Sequence, residues 1–139
     1  MSVHSTTFSI ETAGFTDFHD ITARASRFVT STGVNHGTLT VFVPGATAGV
    51  TTIEYEEGAL EDLKHAIERM VPEGTPYAHD ARWGDGNGFS HVRAAILGPS
   101  LTVPILHGRL GLGTWQQIIL VDFDNRPRQR SVILQVSGE

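Results

Sequence analysis

The residues of this chain that can do chemistry gather in its second half. They read Tyr77-Ala78-His79-Asp80, Gly86-Asn87-Gly88, Ser90-His91 and then Gly111-Leu112-Gly113-Thr114-Trp115-Gln116. His79 and His91 stand 12 positions apart (91 − 79), with an Asp beside the first and a glycine-rich turn between them. Imidazole and carboxylate are common ligands of zinc and related ions. They are also the usual general acids and bases near neutral pH. Two chemistries follow: His79 and His91 hold a divalent ion, zinc or magnesium, or they act as an acid–base pair. In either case Asp80 orients an imidazole or ligates. The spacing is not a compact ligand motif of the His-Glu-x-x-His kind.

Other side chains are candidates for holding a substrate. Asn87 lies in the same glycine-rich segment, and Arg109 is a candidate anion grip. Trp115 and Gln116 supply a flat ring and an amide, and Glu54 is either a strand-end charge or a site carboxylate. The run Gly108-Arg109-Leu110-Gly111-Leu112-Gly113 lacks the Gly-Lys-Ser/Thr ending of a phosphate loop and reads as a tight turn. Lys64, the only lysine, lies on the polar face of an expected helix, which argues against Schiff-base chemistry. A Ser-His-Asp hydrolase has no Gly-x-Ser-x-Gly elbow here. With no cysteine, disulfides and thiolate chemistry are excluded, and any zinc site must use nitrogen and oxygen.

A chain of 139 residues makes one ordinary domain. Its 40% hydrophobic and 18% charged residues are globular but poor in charge, which suits a buried subunit interface. Ten basic against 15 acidic residues give a formal charge of −5, which disfavours nucleic acid as a partner. The one basic cluster, Arg126-Pro127-Arg128-Gln129-Arg130, reads as a solvated turn between strands. No stretch is long enough to span a membrane, and no signal peptide is visible, so a cytoplasmic location is expected.

The elements that must position these groups follow from periodicity. A first strand is expected at Thr6–Thr12, then a helix capped by Asp20 with Ile21, Ala25 and Phe28 on one face. Strands are expected at Gly37–Val43 and Ala46–Glu54, and the best helix at Glu57–Met70, with Leu60, Leu63, Ile67 and Met70 inward. Thr75–Gly88 reads as loop and Ser90–Leu97 as a short helix or turn. Late strands fall at Ser100–Ile105, Trp115–Phe123 and Arg130–Val136. Ile118-Ile119-Leu120-Val121 is apolar on both faces and predicts a central strand covered on both sides. The class is α+β, with mixed or mostly antiparallel sheets and two main helices.

Several segments together resemble the YjbQ-like family. They are Phe42-Val43-Pro44 and Ala46-Thr47-Ala48-Gly49-Val50-Thr51 leading to Glu54, Tyr77-x-His79-Asp80, Asn87-x-x-Ser90-His91, Gly98, Val103-Pro104, Gly108, Gly113-Thr114-Trp115-Gln116 and the closing Arg130-x-Val132 with Gln135-Val136. The resemblance covers nearly the whole chain. It implies a homotrimer with a polar, metal-bearing pocket near the histidines. It also implies a weak thiamine-phosphate synthase activity, joining a pyrimidine pyrophosphate to a thiazole phosphate. Members commonly carry His where this chain has Gly45, so the resemblance carries over His79 and His91 but not the third imidazole. A non-catalytic metabolite-binding or structural protein with a degenerate metal site is the alternative, and a metal-assisted hydrolase a third.

Overall fold

The computed structural model describes all residues, Met1–Glu139. Eight strands and four helices follow in the order β1 (Ser2–Thr12), β2 (Asp17–Asp20), α1 (Thr22–Thr32), β3 (Gly37–Phe42), β4 (Ala48–Ile53), α2 (Glu57–Met70), α3 (Ala78–Trp83), α4 (Gly88–Leu97), β5 (Ser100–Leu106), β6 (Arg109–Leu110), β7 (Gln117–Asp122) and β8 (Arg128–Gly138). They form a five-stranded sheet, β1-β8-β3-β5-β6, and a three-stranded sheet, β2-β7-β4. Every pairing is antiparallel, so the sheets are not mixed. The class is α+β, as the sequence predicts.

The two sheets share one core. Leu39, Val41, Val132, Leu134 and Val136 of the larger sheet meet Val50, Ile118 and Leu120 of the smaller. These alternate along their strands, as a sheet with one buried face requires. Helix α1 joins the same core through Ala25 and Val29, with Phe28 only partly buried. Asp20 Oδ1 accepts from the amide and hydroxyl of Thr22, tying down the helix start.

β7 is apolar on both faces for a physical reason. Ile118 and Leu120 face the inter-sheet core, while Ile119 and Val121 face a second cluster under α2 and α4 with Ile67, Ala94 and Phe123. β7 is also the middle strand of its sheet, so it is covered on all sides. Glu56 caps α2 by accepting from the amides of Gly58 and Ala59, which holds its carboxyl below the usual range.

The segment expected as a loop, Thr75–Gly88, contains helix α3, so the main two helices are joined by α3 and a ten-residue α4. Met70, counted on the buried face of α2, is instead exposed. No helix is long and apolar enough to cross a membrane.

Candidate functional site

One end of the smaller sheet collects the start of β4, the end of β7, the start of β8 and the α3–α4 junction. The antiparallel register sets this meeting: Ala48 lies opposite Asp122, and Ile53 opposite Gln117 at the far end. A cleft of about 360 Å³ opens there, lined by Thr47, His79, Trp83, Asn87, His91 and the two arginines Arg128 and Arg130.

His79 of α3 and His91 of α4 have ring centroids 4.3 Å apart, tilted by 39°. His79 Nδ1 is buried and has no hydrogen-bond partner. Asp85 Oδ1 at 3.7 Å and Asp80 Oδ1 at 3.8 Å are the carboxylates near it, both beyond hydrogen-bond reach. Asp80 is engaged elsewhere, since its Oδ1 accepts from the Gly88 amide at 2.8 Å and so pins the first turn of α4 to α3. A carboxylate at a helix N-terminus is favourable for its own sake. Asp80 thus ties together the two helices that carry the imidazoles.

Beneath the rings lies a charged network. Asp122 and Asp124 are both fully buried. Arg130 grips Asp122 with two hydrogen bonds, Nε to Oδ2 at 2.6 Å and Nη2 to Oδ1 at 2.9 Å. Arg128 reaches Asp124 Oδ2 through Nε at 2.9 Å, with Nη2 at 2.8 Å. Thr47 Oγ1 donates to Asp124 Oδ2 and accepts from Arg130 Nη2, which links the pairs. Asn87 Nδ2 donates to Asp124 Oδ1, leaving its own Oδ1 buried and unpartnered. Burial pushes the Asp124 carboxyl up, but hydrogen bonds from Asn87, the Asn125 amide, Thr47 and Arg128 outweigh it and hold the pKa at about 2.

The carboxylates hold each guanidinium by its Nε and Nη2 edge. Nη1 of Arg128 and of Arg130 makes no hydrogen bond within the chain. The cleft lining therefore brings together two positioned guanidiniums and two imidazoles. Convergent polar groups in a concave opening are what a small-molecule site requires.

The structure brings together His79, His91 and Asn87, with Asp80 beside them. It does not bring in the other candidates. Glu54 follows the far end of β4, about 23 Å along the strand from Thr47 at ~3.3 Å per residue. Arg109 and Gln116 line another cavity, of about 430 Å³, between α1 and the 108–117 segment. Gln116 is a loop fastener there, accepting from Gly113 and donating to Thr52. Trp115 is 71% exposed. That cavity is larger than the cleft, but Arg109 is its only charged group, so the cleft is the better candidate for chemistry.

The basic cluster is not a solvated turn. Arg128 and Arg130 are strand residues on one face of β8, and Arg130 is only 8% exposed. Asp122-x-Asp124 and Arg128-x-Arg130 straddle a tight turn, each pair at a spacing of two. That period puts both acids and both bases on matching faces, and it was a usable signal in the sequence. Gly45 borders the same cleft. Its φ is +127°, and a Cβ there would lie 3.1 Å from Arg130 Nη1.

Comparison with known proteins converges on one family. The sequence profile described as "UPF0047 protein YjbQ-like" matches residues 6–139. A UPF0047 protein of Methanothermobacter thermautotrophicus is 35% identical over 139 residues, covering 100% of this chain and 95% of that protein. One from Mycobacterium tuberculosis is 42% identical over 115 residues, covering 83% of this chain and 84% of its own length. The crystal structure of a YbjQ-like protein of unknown function from Sulfolobus solfataricus superposes with a TM-score of 0.94 at 29% identity, covering 99% of both chains.

Proposed function

The chain belongs to the UPF0047 family of YjbQ-like proteins, and we propose that its His79–His91 cleft binds a phosphorylated small molecule and acts on it as an enzyme. One observation carries this reading: two free guanidinium donors, fixed from behind by buried carboxylates, stand beside a close imidazole pair. Phosphoryl oxygens are the natural acceptors for such donors. Asp122 and Asp124 keep both guanidiniums in place before any ligand arrives, so little ordering is needed on binding.

The reaction that fits best is the thiamine-phosphate synthase type. There a thiazole nitrogen attacks the methylene carbon of a pyrimidine pyrophosphate. The new N–C bond replaces the C–O bond, and pyrophosphate leaves with the electron pair. Arg128 and Arg130 would neutralise the charge that builds on the departing oxygens. His79 or His91 would protonate the leaving group, a role worth roughly 10²–10⁴-fold in rate.

A divalent ion would find the imidazoles of His79 and His91 here, with Asp85 in the cleft lining, but no three His, Asp or Glu side chains are grouped closely enough to complete a site. The two guanidiniums are outnumbered by Asp80, Asp85, Asp122 and Asp124, a formal −2 that a dication would balance. When bound, such an ion supplies Lewis-acid stabilisation of a leaving phosphate. Gly45 favours the second reading, a binding protein without turnover, because it supplies no third imidazole. We also propose that the chain assembles as a homotrimer, supported by its low charge fraction of 18% and by exposed apolar residues such as Val3, Leu106 and Trp115.

Calorimetric titration with inorganic pyrophosphate, with and without magnesium or zinc, tests the cleft. Arg128→Met should weaken binding by roughly 10–100-fold, the worth of a charge-assisted hydrogen bond. Arg109→Ala, in the other cavity, should leave it unchanged. The opposite pattern would move the site. Product formation from the pyrimidine and thiazole phosphates then separates the enzyme from the binding protein.

A further inference from the structure

The outer face of the three-stranded sheet carries a second opening. A crevice of about 300 Å³ lies between α2 and α4, lined by Leu63, Ile67 and Met70 on one side, Ile96 and Leu97 on the other, and Phe123 below. Its walls are almost wholly apolar, and Met70 and Ile96 stand exposed at its mouth.

One charge lies in this apolar setting. Arg93 also lines the crevice and is only 3% exposed. Its Nε donates to the Val71 carbonyl at 3.0 Å, and its Nη1 to Thr16 Oγ1 at 3.1 Å. The guanidinium carbon sits 4.9 Å from the centroid of the Phe89 ring. Its Nη2 is buried and donates to nothing. Glu68 and Glu73 attract it only at long range, and no carboxylate forms an ion pair with it. Arg130, the chain's other buried arginine, has a bidentate carboxylate partner. A guanidinium stays protonated when buried, so Arg93 is a retained charge without its counter-ion.

We propose that this crevice binds a medium-chain carboxylic acid, its alkyl chain between α2 and α4 and its carboxylate on Arg93 Nη2, which a small turn of the guanidinium uncovers. A carboxylate matches the fork of the guanidinium, and the apolar walls disfavour a more highly charged head such as a phosphate. The volume lies at the small end of ligand sites and holds roughly ten heavy atoms at about 30 Å³ each. Octanoate is of that size. Met70 at the mouth can adjust to the chain, as an unbranched side chain does. Arg93 follows His91 by two residues on α4, about 200° round the helix, so the crevice and the histidine cleft lie on opposite faces. The proposal is independent of the cleft's function.

The experiment is a calorimetric titration of the full chain with octanoate and with 1-octanol. Octanoate should saturate one site per chain and bind roughly tenfold or more tighter than octanol. Arg93→Met should erase that preference. Because Arg93 also ties α4 to Val71 and Thr16, that variant is at risk of misfolding, and Ile96→Glu serves as the second probe. It places a carboxylate at the exposed mouth, so it should weaken octanoate by a similar factor while leaving the melting temperature unchanged. Absence of saturable octanoate binding, which closure of the crevice by another copy of the chain would also produce, overturns the proposal. So does equal affinity for octanol, or octanoate binding that Ile96→Glu leaves intact.

Discussion

Asp124 carries its charge with no contact with water, and its pKa of about 2 makes it a measurable part of the molecule's stability. A folded pKa held below the ordinary value of 3.8 stabilises the fold above the unfolded pKa. The contribution is lost as pH falls from about 4 through about 2, and it amounts to about 2 kcal/mol. Urea denaturation across that window should show this loss, and Asp124→Asn should flatten the slope. Gly45 gives a second prediction. A side chain there would meet Arg130 Nη1, and φ of +127° is strained for any L residue. Gly45→His should lower the melting temperature while raising zinc affinity roughly tenfold or more, since it adds an imidazole at the rim of a two-imidazole site. Equal zinc affinity in a zinc titration would mean that position 45 does not reach the ion. At this scale His79, His91 and Asn87 were legible from residue type and the glycine-rich setting. Arg128 and Arg130 were legible only through the spacing of two that they share with Asp122 and Asp124; by composition alone a basic cluster beside a proline reads as a solvated turn, and ion pairing with those acids turns it inward.

The α3–α4 junction decides whether the two histidines meet. Asp80 clamps the Gly88 amide, and a Cβ on Gly88 would lie 2.6 Å from Tyr77 Cβ and 3.0 Å from Asp80 Oδ1. Real Cβ contacts are not that short, so Gly88→Ala should push the helices apart. The expected result is a fall in melting temperature of several degrees, a loss of roughly 1–3 kcal/mol, together with weaker pyrophosphate binding. A variant as stable and as tight-binding as the parent would show that the junction is not strict. The strands and long helices could be read from the sequence because their periods repeat over several turns or alternations. Ile118–Val121 is the clearest case, its double-sided apolar run matching a strand between two cores. α3 was not legible. Six residues make fewer than two turns, too short for a periodic signal, and Pro76 and Gly84 beside it mark a loop. β2, four residues paired on one side only, escaped for a similar reason.

At the scale of the molecule, two sheets and a helical layer place the histidine cleft at one end of the smaller sheet and the Arg93 crevice on its outer face. Sheet class and core could be inferred from alternation, but the dispersal of Glu54, Arg109, Trp115 and Gln116 could not, since it depends on which strand ends share an edge. The proposed trimer predicts a light-scattering mass three times that of the 15.1 kDa chain at micromolar concentration. A stable folded monomer under those conditions would remove it. Whether the His79–His91 cleft receives phosphoryl groups can be seen by following the imidazole resonances of the chain's seven histidines by NMR during titration with inorganic pyrophosphate. Saturable shifts are expected at His79 and His91, while His36 and His107, an exposed ring pair with centroids 4.9 Å apart, stay unmoved. Unchanged His79 and His91 signals at saturating pyrophosphate would contradict phosphoryl binding there.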